Sequence, residues 1–173
     1  MRNKINFGIV VAAALFSSVA SASSFYLDAT NPFNGATLNL AAGDYQITYV
    51  SGAWNPWGTN PSGCDNAGQC SGVGWYNAFT WTTTSGSTTF WDGIRWQNST
   101  LAEVSGQNHS PINFTLSQTQ AVNFYIGDNP YYDNSGGISL SVTPAPVPLP
   151  AAAWLLGSGL LGLFGMARRK AAY

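Results

Sequence analysis

The stretch INFTLSQTQAVNFYI at residues 112–126, followed by GISLSVT at residues 137–143, decides the fold. Ile112, Phe114 and Leu116 alternate with Asn113 and Thr115, and Val122, Phe124 and Ile126 repeat the pattern. Ile138, Leu140 and Val142 then share one face of a last run. A period of two sends successive side chains to opposite faces, so each run predicts a half-buried β-strand. The same signal recurs upstream. Ser24 to Asp28 and Ala36 to Leu40 are short candidates, and Tyr45, Ile47 and Tyr49 alternate with Gln46 and Thr48 after the turn Ala42-Gly43-Asp44. Trp75 to Thr83 is long, aromatic and Thr-rich, and Thr88 to Trp91 follows a hairpin turn at Ser85-Gly86-Ser87. No segment sustains a 3.6-residue period. Roughly seven or eight such strands, joined by turn-rich loops, predict an all-β fold, a single antiparallel jelly-roll-like β-sandwich.

Both ends of the chain carry targeting patterns. Arg2 and Lys4, the apolar run Phe7 to Phe16 and Ala20-Ser21-Ala22 have the order of a signal peptide, residues 1–22, with the mature chain beginning at Ser23. The sandwich is expected over residues 23–143, and a stiff Pro-rich linker over residues 144–150. Ala151 to Ala167 is free of charge and would make a helix of roughly 25 Å, the short end of a membrane span. Arg168, Arg169 and Lys170 in the tail, residues 168–173, would stop transfer and stay cytoplasmic. Motif, apolar helix and basic tail in this order resemble the PEP-CTERM sorting signal of Gram-negative bacteria, with Val147-Pro148-Leu149-Pro150 in place of Val-Pro-Glu-Pro. The resemblance implies handling by an exosortase-type sorting enzyme. It also implies anchoring in the inner membrane through the C-terminal helix, then delivery to the cell surface or extracellular matrix.

The targeting segments mask the charge of the exported part. Five of the six basic residues lie in them, whereas all seven acids lie in the domain with Arg95 as its only Lys or Arg. That balance excludes nucleic acid as a partner, since phosphates need basic side chains to neutralise them. It also argues against docking on anionic lipid. Every acid except Glu103 is an Asp, a composition compatible with calcium and its preference for oxygen ligands. The many aromatics supply enough apolar surface for one core and argue against disorder.

Residues 51–74, SGAWNPWGTNPSGCDNAGQCSGVG, show no strand pattern. A loop of that length in a compact domain is usually functional. Cys64 and Cys70 are the chain's only cysteines, and in an exported protein they predict a disulfide closing the loop. Two sulfurs are too few for zinc, and His109 is distant in sequence. Trp54 and Trp57 flank Asn55-Pro56 in this loop, and with Trp75 and Tyr76 they offer flat faces for stacking on sugar rings. Tryptophan is equally a core filler, and Trp81 and Trp91, on strand patterns, are assigned to the core.

A second loop sets Asp128, Asn129, Asp133 and Asn134 in a Pro/Gly-bent segment between strands. Short oxygen-bearing side chains suit calcium, and they also dominate ordinary turns. The ending Asp-x-Pro…Asn-Ser-Gly-x-x-x-Val, with the earlier Gly-Ala-Trp-Asn-Pro-Trp-Gly and Trp-Tyr-Asn-Ala-Phe, resembles the bacterial calcium-dependent galactophilic lectins over residues 42–142. In that family calcium coordinates sugar hydroxyls directly. The resemblance implies Asp128, Asp133 and Asn134 as side-chain ligands and Trp57 at the position of a carbonyl ligand. The segment from Asp128 to Asn134 is shorter than the lectin loop, and the family's sugar-contacting His and Gln have no match between Gly58 and Gly74, so galactose specificity is not implied. A Ser-His-Asp hydrolase would need His109, which lies in a polar loop, and nothing in the sequence pairs Asp92 with Glu103 across a glycosidase cleft. The expectation is a non-enzymatic, calcium-assisted binder of polysaccharide or exopolysaccharide matrix. Its rival is a structural or adhesive matrix protein without specific sugar binding.

Overall fold

The computed structural model describes residues 22–146, apart from 32, 34 and 59, together with Gly159. The expected signal peptide before Ala22, the motif Val147-Pro148-Leu149-Pro150, the transmembrane helix apart from Gly159, and Arg168, Arg169 and Lys170 lie outside these residues. Among the described residues no helix is long and apolar enough to cross a membrane.

Among residues 22–146, ten strands and one helix run in the order β1 (Ser23–Asp28), β2 (Ala36–Leu40), β3 (Gly43–Asn55), β4 (Gln69–Cys70), β5 (Phe79–Thr83), β6 (Gly86–Phe90), β7 (Arg95–Trp96), α1 (Ser99–Asn108), β8 (Ile112–Leu116), β9 (Gln120–Tyr125) and β10 (Ser135–Pro144). Two four-stranded antiparallel sheets, β1-β10-β3-β8 and β2-β9-β5-β6, pack face to face, and β4 and β7 form a small third sheet. The alternating runs supply the inner faces. Val122 and Phe124 of β9 are fully buried while Ala121 and Asn123 beside them are exposed. Leu27, Ile47, Phe79, Ile138, Leu140 and Val142 complete the centre of the core. Each such side chain contributes about 1.5–3 kcal/mol of burial.

Strand β3 runs further than its sequence pattern suggests. Opposite β10 its register shifts between Ser139 and Leu140, with Leu140 facing Tyr49 and Ser139 facing Ser51. The extra residue, Val50, is a β-bulge, and it reverses which side chains point inward. Before it Tyr45 and Ile47 are buried; beyond it Gly52 stands opposite buried Ile138 and Trp54 opposite Gly136. Gly52 (φ +88°) also brings β3 so close to β10 that a Cβ there would lie 2.3 Å from the Gly137 carbonyl oxygen. Trp54 is therefore a strand residue, 4% exposed, rather than a loop residue.

Helix α1 contradicts the expectation of no helical segment. Asn98 caps it by accepting a hydrogen bond from Leu101 N at 2.9 Å. Its buried face is only Ala102 and Gly106, residues too small to print an apolar stripe on the sequence. Tertiary packing supplies what that stripe lacks: α1 lies on β3, and Gly106 sits directly against the Tyr49 ring. The Tyr49 hydroxyl donates to the Gly52 carbonyl. Burial, then the nearby carboxylates Glu103 and Asp92, raise the Tyr49 pKa well above its ordinary value.

Other boundaries move as well. The run from Trp75 is a strand only from Phe79 onward; Trp75 and Tyr76 form isolated bridges to Trp96 and Trp54. The β5–β6 turn falls at Thr84-Ser85, just before the expected position. Cys64 and Cys70 are disulfide-bonded, closing the loop next to β4.

Candidate functional site

Tyr76 stands at the centre of an aromatic cluster on one end of the sandwich. Its ring makes edge contacts with Trp54 at 5.5 Å, Trp57 at 5.4 Å and Trp91 at 5.4 Å. Arg95 fixes it from outside: Nε donates to the Tyr76 hydroxyl at 2.8 Å, and Nη1 donates to the carbonyls of Ser71 and Gly72 at 3.2 and 2.9 Å. The same guanidinium lies 5.4 Å from the centre of the Trp57 ring. The disulfide-closed loop thus reaches the aromatics through one arginine. Trp54 turns its Nε1 inward to the Ala78 carbonyl at 2.8 Å. Together Trp54, Trp57, Tyr76 and Trp91 wall a cleft of about 290 Å³, whose other side includes Gly127 and Asp128.

Asp92 works beneath this cluster as a structural hub. Its Oδ2 accepts from Asn77 Nδ2, Trp96 Nε1 and Ser105 Oγ at 2.7, 3.0 and 2.6 Å, and Oδ1 accepts from Ile94 N at 2.9 Å. Asn77 is fully buried. This network ties the segments around β5 and β7 to α1, while Glu103 accepts from Gln107 of its own helix.

Beside the cleft lies the acidic loop. Pairing of Asn55 with Ser135 brings the segment after β3 next to the one before β10. A Cβ on Gly58 would lie 2.4 Å from the Asp133 carbonyl oxygen, so the two backbones touch. Asn134 is buried; its Nδ2 donates to the Ala29 carbonyl at 3.0 Å, which orients the amide and leaves Oδ1 as an acceptor. Asn134 Oδ1 and Asp133 Oδ1 are buried and have no hydrogen-bond partner. Orphaned oxygens on two consecutive residues carry a desolvation cost that natural proteins usually offset with a ligand, water or ion. Among the described residues no group of three or more Asp, Glu, His or Cys side chains could hold a metal. The oxygens here are instead mixed carboxylate and carboxamide, a hard set suited to calcium rather than zinc or a softer metal.

Of the expected site residues, Trp54, Trp57, Tyr76 and Asp128 meet in the cleft, Asp133 meets Gly58 beside it, and Asn134 turns to the Ala29 carbonyl. Trp75 goes elsewhere: it pairs with Trp96 and lies against Gly136. Trp91, assigned from its strand pattern to the core, is 46% exposed and forms a cleft wall, because β6 ends at Phe90. The turn residues Asp92-Gly93 directly after it were the available signal. Arg95 was legible only as the domain's lone cation.

The fold and site define an antiparallel two-sheet sandwich with an aromatic cleft beside a loop of unpartnered oxygens. Comparison with known proteins finds no matching family model, no curated relative and no similar solved structure. The sorting-signal and lectin resemblances accordingly rest on the residues quoted for them.

Proposed function

We propose that this protein is an exported, non-enzymatic, calcium-assisted carbohydrate-binding module of jelly-roll type, carried to the cell surface or extracellular matrix by its PEP-CTERM-like tail. The observation that carries the reading is that Asp133 Oδ1 and Asn134 Oδ1 are buried acceptors without partners, in a loop whose Asp133 backbone touches Gly58, the residue after cleft-lining Trp57. Asp133 and Asn134 would hold the ion, with Asp128 and the Trp57 carbonyl as further candidates. A bound calcium supplies a hard positive centre that accepts hydroxyl oxygens. The protein's own share is to present ring faces: Trp57, Tyr76 and Trp91 offer apolar surface with polar edges, and Arg95 holds Tyr76 and Trp57 in place.

The rival reading, a matrix or adhesion protein without specific sugar binding, draws on Trp54, whose 4% exposure and inward Nε1 make it a packing residue as much as a ligand contact. Calcium titration by calorimetry tests the metal claim. Saturable uptake that Asp133→Ala abolishes is expected; no heat, with Asp128→Ala and Asp133→Ala leaving stability unchanged, sinks it. A glycan array with and without EDTA separates the two readings, because only the lectin requires EDTA-sensitive retention.

A further inference from the structure

The aromatic cleft does not stand alone. Gly127 and Asp128 line both it and a second cleft of about 490 Å³, walled further by Phe33, Tyr125 and Tyr131. Trp91 lines both it and a third cleft of about 530 Å³, walled further by Asp65, Gln69 and Arg95. The two outer clefts share no residue with each other, so the three are joined in series with the Trp57–Tyr76 cluster in the middle.

We infer that the three clefts form one groove for an extended polysaccharide strand spanning about three or more sugar rings. The inference rests on the carbohydrate reading above and deepens it. Aromatic side chains recur along the groove, with Phe33 and Tyr125 in one outer cleft, Tyr76 in the middle and Trp91 at the junction with the other. Ring faces in each of the adjoining clefts suit the C–H faces of successive sugars, whereas one ring face would serve a single sugar.

Affinity electrophoresis of the full protein, in calcium, through gels carrying neutral polymers (galactan, xylan, dextran) or acidic ones (alginate, polygalacturonate) tests this. It is followed by a one-to-six-ring oligosaccharide series of the best-retained polymer. Retention by at least one polymer and affinity rising with length to at least three rings are expected. Phe33→Ala, at a side chain 88% exposed and so harmless to the core, should weaken the hexasaccharide roughly tenfold and leave the monosaccharide unchanged. Equal affinity for one ring and six, or a hexasaccharide affinity untouched by Phe33→Ala, overturns the groove and leaves the carbohydrate reading standing. No retention by any polymer and no glycan-array signal removes both.

Discussion

If calcium binds as proposed, Gly58→Ala is expected to abolish the stabilisation it confers, and Gly93→Ala to preserve it. Both glycines hold left-handed backbone, with φ of +57° and +83°. An L side chain in that region costs about 1–2 kcal/mol. At Gly93 nothing lies within 4 Å of the added methyl, so strain is the whole cost. At Gly58 the methyl would lie 2.4 Å from the Asp133 carbonyl oxygen, against 3.4 Å for the onset of ordinary contact. The Asp133 loop must therefore retreat by about 1 Å, and overpacking of this kind adds about 1–3 kcal/mol. Gly58→Ala should thus cost about 2–5 kcal/mol in all, against about 1–2 kcal/mol for Gly93→Ala. The decisive quantity is the calcium increment. At a hundredfold excess over Kd, linkage gives about 2.7 kcal/mol, which for a domain of this size raises the unfolding midpoint by roughly 10 °C. Scanning calorimetry in EDTA and in calcium reads it directly. The unsubstituted protein and Gly93→Ala should both show the increment, and Gly58→Ala should lose most of it. If Gly58→Ala keeps the full increment, the Asp133 segment does not bind the ion and the cradle is misplaced.

Gly106→Ala should destabilise the fold by a net of up to about 2 kcal/mol, because overpacking exceeds the gain of about 1 kcal/mol in helix propensity. The new methyl would stand 2.7 Å from the Tyr49 ring, which is tethered through its hydroxyl to Gly52; a higher urea midpoint would show that the ring yields freely. Asp92→Ala removes the acceptor shared by Asn77, Trp96 and Ser105 and should cost at least about 3 kcal/mol, since bonds to a charged group contribute about 1.5–3 kcal/mol each. An unchanged denaturation midpoint would mean that the hub holds nothing together. The buried Tyr49 predicts alkaline sensitivity. Its pKa in the folded state is raised above the ordinary 10.0, first by burial and then by Glu103 and Asp92, so above pH 10 the unfolded chain binds fewer protons than the native one. The contribution is complete below pH 10 and is lost as pH rises toward the folded value. Tyr26, raised by burial and then by Asp28, acts in the same direction. Denaturant curves between about pH 8 and about pH 11 should show stability falling at the upper end, with a shallower fall in Tyr49→Phe; identical slopes would refute the assignment.

Strand character was legible wherever an element's own side chains alternate. Val122 and Phe124 announce their burial in five consecutive letters, and Ile138, Leu140 and Val142 do the same, because a period of two is a local property of extended backbone. Segments whose role depends on a partner were not legible. Trp54 reads as a loop residue beside Asn55-Pro56, yet a bulge opposite Ser139 and Leu140 carries β3 past it and turns it inward. Helix α1 carries Ser, Thr, Gly and Asn and buries only Ala102 and Gly106, so its existence rests on the Tyr49 ring and the Asn98 cap. Trp75 misses the cleft and Trp91 joins it for a related reason: strand ends, not strand patterns, decide which tryptophan faces solvent.

By itself the sequence determined the sheet-forming runs, the pairing of its two cysteines and the acidic, nearly cation-free character of the domain. Those follow from local periodicity, from count and from composition. Tertiary structure alone decided the site. Trp57 after β3, Tyr76 before β5, Trp91 after β6 and Asp128 after β9 line one cleft, and Asp133 meets Gly58 only through the pairing of Asn55 with Ser135. Side chains so far apart along the chain share a wall only when the sheets that carry them pack, and no local pattern encodes that packing.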